Sequence, residues 1–274
     1  RYFTEDVIKE MYETGDMPDE IAEAYRDAGF GLMGIPEEYG GIPCDKVTLG
    51  MMIEELYHSS GCNHILYQNS LTAFDIVEFG TPEQIKFAMD YYKENGYPPY
   101  CLAISEPEAG SDNQGMECLA TRTGDGKVHI NGVKTWVTQG EHVDGFIVVC
   151  KDEDPSRENK NMSMYLVPAN APGVTIEPLN KIGMQIMPFA MIHFDDVVID
   201  ETDLLGIQGK GFYQLMKNFE WERCVLLAEL LGEAQAAMED ACAWTNERMQ
   251  FGKGIKTYQL VQEHIVEMQI ELSN

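Results

Sequence analysis

From Tyr100 to about Ile199 the apolar residues of this chain recur with a period of two, whereas before and after that stretch they recur at helical spacing. This double change of period constrains the fold most, because a pattern that buries one face of a strand cannot bury one face of a helix. Strands are expected at 119–123, 128–130, 135–138, 146–150, 162–167, 174–178 and 192–198, with tight turns at Gly124-Asp125-Gly126 and Asn131-Gly132. Short strands at this spacing predict a closed or sandwiched antiparallel sheet, a β-barrel or β-sandwich. Upstream, the spacing predicts helices over 18–28, 46–58 and 82–95, stopped by Gly29, Gly40-Gly41, Gly61 and Gly96. Downstream, the helical period returns at Gly211 and holds to the last residue, with a break over 251–256. The expected class is α+β in three parts: an N-terminal helical domain (1–98), a middle antiparallel β-domain (99–207) and the start of a C-terminal helical bundle (208–274). The charged stretch 151–160 reads as a solvated hairpin loop.

Composition narrows the partners. A net charge of −27 on 274 residues repels phosphate backbones and anionic lipid, so neither nucleic acid nor a membrane surface is expected as a partner. Any phosphate-bearing ligand would need local basic groups or backbone N–H donors. Seven cysteines, with no C-x-x-C pair, suit reduced thiols and a cytoplasmic protein. The six histidines form no ligand pair at helical spacing with a partnering acid, so no metal site is expected. No apolar run approaches roughly 18 residues and no basic segment precedes an apolar stretch, so neither a membrane span nor a signal peptide is expected.

Three segments carry chemistry. Ser105-Glu106-Pro107-Glu108-Ala109-Gly110-Ser111-Asp112 follows an apolar strand, and Trp136-Val137-Thr138 closes another. Small hydroxyl residues and glycine at strand ends bring backbone N–H groups close to a flat ring or a pyrophosphate, although Pro107, Gly110 and Asp112 are also what a plain turn contains. The third is Glu222, which falls in a helical stripe with Leu215, Phe219, Leu226 and Leu230. A carboxylate there either pairs with Arg223 or Lys217 at a surface, or is desolvated toward neutral pKa and suited to act as a general base.

With Ile35-Pro36-Glu37-Glu38-Tyr39-Gly40-Gly41 upstream and Glu247-Arg248-Met249-Gln250-Phe251-Gly252 downstream, the order and spacing of these segments resemble the acyl-CoA dehydrogenase flavoproteins over essentially the whole chain. The resemblance implies FAD. Ser105 and Thr138 match the donors directed at the polar edge and N5 region of the flavin, Trp136 packs against the ring, and Leu102, Ile104, Gly110, Ser111 and Val137 line the same place. Leu102 stands where the family often has tyrosine, and Glu108 replaces a common glycine. Arg248, Gln250 and Phe251 match the segment that reaches the FAD of a neighbouring subunit, and Gln259 matches a contact to the other half of FAD. Ser111, Phe219, Glu220 and Arg223 match positions near the substrate. The Glu222-Arg223 pair is similar to the isovaleryl and long-chain branches, whose base lies on this helix; the medium-chain branch carries it on a later segment.

Also implied are interconversion of acyl-CoA and trans-2-enoyl-CoA, with α-proton transfer by Glu222 and β-hydride transfer to or from flavin N5, an electron-transfer flavoprotein as redox partner, and a homo-oligomer, dimer or tetramer. Phe219-Glu220-Trp221-Glu222-Arg223, Leu66-Tyr67-Gln68, Gly80-Thr81-Pro82-Glu83-Gln84-Ile85 and Gln259-Leu260-Val261-Gln262 look closest to crotonobetainyl-CoA reductases of carnitine metabolism, which work in the reductive sense. The helical pattern at Asn274 has no stop signal, so the resemblance also implies that the sequence ends before the family's last two helices. The alternatives are a flavin- or CoA-ester-binding scaffold without catalysis and an acyl-CoA oxidase.

Overall fold

The computed structural model describes residues 2–64, 66–67, 70–153 and 161–274. Gln68 and most of the 151–160 stretch lie outside the described residues. The elements group into two compact units, Lys9–Cys44 with Ile65–Glu222, and Arg1–Ile8 with Asp45–His64 and Arg223–Asn274.

In the larger unit, α1 (Glu5–Thr14, which begins in the smaller unit) and α2 (Asp19–Ala28) precede α4 (Ser70–Phe79) and α5 (Pro82–Asn95). The start of α5 follows from its sequence: Thr81 caps the Gln84 backbone N–H, Gln84 reaches back to the Thr81 N–H, and Pro82 occupies the first turn, where no donor is missed. Gly29 and Gly96 end α2 and α5 in the left-handed conformation that glycine adopts without Cβ strain.

The sheet contains β1 (Tyr100–Ala103), β2 (Leu119–Arg122), β3 (Lys127–Thr138), β4 (Gly145–Asp152), β5 (Met162–Pro168), β6 (Val174–Pro178), β7 (Phe189–Asp200) and β8 (Leu204–Leu205), in the order β6-β7-β3-β2-β4-β5-β8. It is mixed, not purely antiparallel as expected. β1 and β2 both pair with one edge of β4, each parallel to it, β1 along its first half and β2 at its end. A period of two identifies strands but carries no information on their direction, which is why the sequence pattern missed this. Asn131-Gly132 is likewise no turn. β3 runs straight through it with a register shift against β7, and the Asn131 side chain accepts from the Asp196 N–H. Gly132 is required because a Cβ there would lie 2.6 Å from the Cys118 Cα.

β4 is buried on both faces. Phe146, Val148 and Cys150 join Val128, Ile130, Tyr165 and Ile192 in one core, while Ile147 and Val149 pack with Ile76, Ile85, Ala88 and Met89 of α4 and α5 in the other. Between these cores lies a buried ion pair. Lys134 of β3, fully buried, donates to Glu106 Oε1 at 2.7 Å and to the Ile104 carbonyl at 2.8 Å. The Glu106 carboxylate also accepts from the Glu117 and Cys118 N–H groups at 2.6 and 2.9 Å.

In the smaller unit, α3 (Lys46–Ser60) is capped by Asp45, whose carboxylate accepts from the Val47 and Thr48 N–H groups and is held below the usual carboxylate range by those bonds. The helix α6 (Gly211–Glu247) begins in the larger unit; its part after Glu222 is followed by the two-stranded β9 (Met249–Gln250) and β10 (Lys253–Gly254) and by α7 (Gln259–Ser273). Gly232 lets α6 approach α3 closely, since a Cβ would meet the Glu54 carbonyl oxygen at 2.2 Å. His64 is fully buried, stacked on Tyr57 at 4.2 Å and Phe3 at 5.1 Å between ring centroids. Burial drives its pKa down to about 3.

Two outcomes are expected. Lys134→Met leaves the Glu106 carboxylate buried without its cation and lowers unfolding free energy by about 3–5 kcal/mol; urea denaturation measures this, and the Lys134→Met/Glu106→Gln double variant recovers part of it. For His64, the folded-state pKa of about 3 lies below the ordinary 6.5. Its contribution to stability is therefore complete above the unfolded pKa and is lost as pH falls toward 3. In His64→Phe the acid limb of the stability profile, followed by urea denaturation from pH 7 down to pH 4, is shallower than in the wild type.

Candidate active site

The site is built where β3 loses register. Lys134 pairs with Ile192 of β7, but the next pair is Val137 with Ala190, so two residues of β3 oppose one of β7. The bulge places Trp136 at φ 58° and turns its indole outward, 58% exposed. A bulky residue in the left-handed region is an outlier that local packing must hold. Here the Thr135 N–H donates to the Ser105 carbonyl at 2.8 Å, and the Lys134–Glu106 pair fastens the loop 104–118 to the same strand. Within that loop Glu106 and Ala109 exchange backbone hydrogen bonds, closing a tight turn over Pro107-Glu108 and leaving Gly110 and Ser111 at the surface.

The end of β1 with Ile104 and Ser105, and the bulged end of β3, line a cavity of about 200 Å³ in the larger unit, together with α4 and α6. Leu102, Ile104, Ser105, Trp136, Thr138 and Glu222 all reach it. The Ser105 and Thr138 hydroxyls make no hydrogen bond to another described residue. Thr72 of α4 donates to the Tyr100 carbonyl at 2.7 Å, and burial pushes the Tyr100 phenol up to about 12.

The remaining expected residues lie outside this lining. The Val137 side chain points into the β-core, 1% exposed, because the strand alternates; only its backbone can face the cavity. Gly110, Ser111, Phe219 and Glu220 do not line the cavity, and Arg223 falls in the smaller unit. Leu226 and Leu230 are exposed, so the expected stripe is displaced. The buried face of α6 runs instead through Leu215, Asn218, Val225 and Glu229, and half-buried Glu222 sits on that face, one turn from Asn218 and from Val225. Counting apolar residues alone picked the wrong neighbours because this face is partly polar.

Asn218 and Asp75 were missed. Asn218 lines the cavity, and its Nδ2 donates to Asp75 Oδ2 at 2.8 Å. Asp75 is buried on α4, and its pKa is pushed up to about 7, chiefly by burial and further by the charge of Glu222, with the Asn218 bond opposing. The available signal was an acid inside the apolar run 71–79, and an amide four residues before Glu222.

In the smaller unit, Phe251 and Gly252 form the β9–β10 turn at φ 51° and 76°. Phe251 is 93% exposed, and the Gln250 carbonyl accepts from the Tyr258 hydroxyl at 3.1 Å. Arg248 and Gln259 are exposed, and the Arg248 guanidinium has no ion pair with another described residue.

The sequence matches the N-terminal domain of acyl-CoA dehydrogenases over residues 1–89, the middle domain over 101–197 and the C-terminal domain over 209–274. The chain belongs to the acyl-CoA dehydrogenase family of flavoproteins, whose members are oxidoreductases acting on the CH–CH group of donors. The probable acyl-CoA dehydrogenase YdiO of Escherichia coli K12 is 36% identical over 272 residues, spanning 99% of this chain and 70% of that protein. Among solved structures, the acyl-CoA dehydrogenase of Slackia heliotrinireducens is 33% identical with TM-score 0.84, covering 100% of this chain and 70% of that one. The butyryl-CoA dehydrogenase of Megasphaera elsdenii is 26% identical with TM-score 0.86, covering 98% and 72%. A chain of the structure described as the electron transferring flavoprotein of Acidaminococcus fermentans is 26% identical with TM-score 0.88, covering 99% and 71%.

Members of this family bind FAD. The residues present fit part of that group: the outward indole supplies a flat face, the two uncommitted hydroxyls supply polar contacts, and Leu71, Leu102 and Ile104 supply an apolar wall. A cavity of about 200 Å³ suits the ring end and not the whole dinucleotide. Trp136→Ala is expected to lower the FAD retained through gel filtration while changing the melting of flavin-free protein little, within about 1 kcal/mol, because the indole is more exposed than buried. Collapse of the flavin-free protein would instead make Trp136 a core residue.

Proposed function

We propose that this protein is an FAD-dependent oxidoreductase that interconverts acyl-CoA and trans-2-enoyl-CoA, with Glu222 as the group that takes the α-proton from, or returns it to, the substrate. The observation that carries this reading is that Ser105, Trp136 and Thr138 share one cavity with Glu222. FAD, when bound, supplies the hydride acceptor or donor. Ser105 and Thr138 hold its polar edge, Trp136 packs against its ring, and Leu71, Leu102 and Ile104 exclude water from the reacting carbons. Glu222, half-buried, moves the proton at the substrate α-carbon. Gly110, Ser111, Val137, Arg248, Gln250, Phe251 and Gln259 complete the FAD contacts. An exposed arginine beside an exposed aromatic at positive φ is suited to a phosphate-bearing ligand held by a neighbouring copy in a homo-oligomer. Ser111, Phe219, Glu220 and Arg223 contact the CoA ester.

The short matches around Glu222 favour a crotonobetainyl-CoA-like substrate and the reductive direction, and we infer an electron-transfer flavoprotein as redox partner. The likeness to the Acidaminococcus chain supports that partner. None of the seven cysteines is in a disulfide, which suits a reducing cytoplasm. We divide the chain into three parts at about 98 and 207, with the flavin loops in the middle part.

Glu222→Gln keeps volume but cannot accept the proton. Stopped-flow reduction of bound flavin by acyl-CoA is expected to fall by about 10²-fold or more, with FAD content unchanged. An unaltered rate overturns the assignment. Flavin that no acyl-CoA bleaches anaerobically would indicate a scaffold, and stoichiometric peroxide in air an oxidase.

A further inference from the structure

Asp75 is a carboxyl group 3% exposed, and among the described residues it has no ion-pair partner. The neighbouring elements give it none. From α6 it receives the Asn218 amide and the charge of Glu222. On α4 itself, the next acid, Glu78, pairs with Lys217. α5 contributes Tyr92, bonded to Ser70, and β1 contributes Tyr100; burial raises both phenols well above neutrality, so neither carries charge there. A carboxylate in such a place is costly, whereas a carboxylic acid is not. A second observation agrees. Asn218 Oδ1 is buried and has no hydrogen-bond partner among the described residues, and a protonated Asp75 has an O–H to donate while still accepting from Asn218 Nδ2. The needs of the acid and the amide match.

We propose that Asp75 is a positioning residue for the reaction: as a buried neutral acid it clamps the Asn218 amide, and the clamp fixes the turn of α6 that presents Glu222 to the cavity while leaving the negative charge of that corner to Glu222. This rests on the assignment of Glu222 as the base. Two carboxylates so placed cannot both ionise freely, so the proton that leaves Asp75 at higher pH strengthens the hold of Glu222 on its own. The balance between proton removal and proton return at the substrate α-carbon then shifts as Asp75 ionises, near pH 7.

The test is infrared titration of the protonated-carboxyl stretch in the purified, FAD-loaded chain, alongside the pH dependence of flavin reduction. The wild type is expected to keep a carboxylic-acid band up to a midpoint near pH 7, and Asp75→Asn to lose it. Glu222→Gln removes the neighbouring charge and moves the midpoint down. The inflection in flavin-reduction rate near neutral pH disappears in Asp75→Asn. If Asp75→Asn retains both band and inflection while Glu222→Gln loses activity, the proposal alone is overturned. If Glu222→Gln reduces flavin at the wild-type rate, the base assignment fails, and the proposal with it.

Discussion

The buried Lys134–Glu106 pair is the constraint on which the site depends. An ammonium with no exposed surface must have its donors satisfied, and Lys134 spends them on Glu106 and on the Ile104 carbonyl. Glu106 must in turn satisfy its lone pairs, which it does with the Glu117 and Cys118 N–H groups. Both ends of the loop 104–118 are thereby fastened to one side chain of β3. Trp136 is two residues further along that strand, so the ring face and the hydroxyl of Ser105 are held by the same charge. By its four hydrogen bonds the pair ties the loop to β3, whatever its net stability over an apolar substitute.

The second organising feature is polarity on the buried face of α6. Leu215, Asn218, Val225 and Glu229 are buried there, and Glu222 lies on the same face. An all-apolar stripe would pack as well and leave no function. Alternating polar groups with aliphatic ones keeps the helix seated while placing an amide and a carboxylate against the cavity and Asp75.

Much of this was legible in the sequence. The change of period located the sheet; Pro82 and the glycines at 29, 61 and 96 located helix ends, because helix starts and stops are local chemistry. Trp136, Ser105, Thr138 and Glu222 were singled out through spacing and resemblance together, and all four line one cavity. What was illegible is tertiary. The parallel pairing of β1 and β2 with β4, the passage of β3 through Asn131-Gly132, and the rotation of the buried face of α6 are each decided by partners distant in sequence. Asp75 was invisible for the same reason: an acid in an apolar helix means little until the residue opposite it is known.

β1 ends against Val148 and β2 begins against Lys151, so the segment between them leaves the sheet and returns to nearly the same point of a single strand, roughly 10 Å away. It behaves as a compact loop whose length is uncoupled from the framework. Residues can be added or removed at the exposed positions 110–112 without shifting either strand on β4, provided that Glu106 keeps its lysine and Ala109 its place in the core. Variation at the tip of this loop is thus separated from the folding of the sheet, and a lineage, or a designer, can alter the one while inheriting the other unchanged.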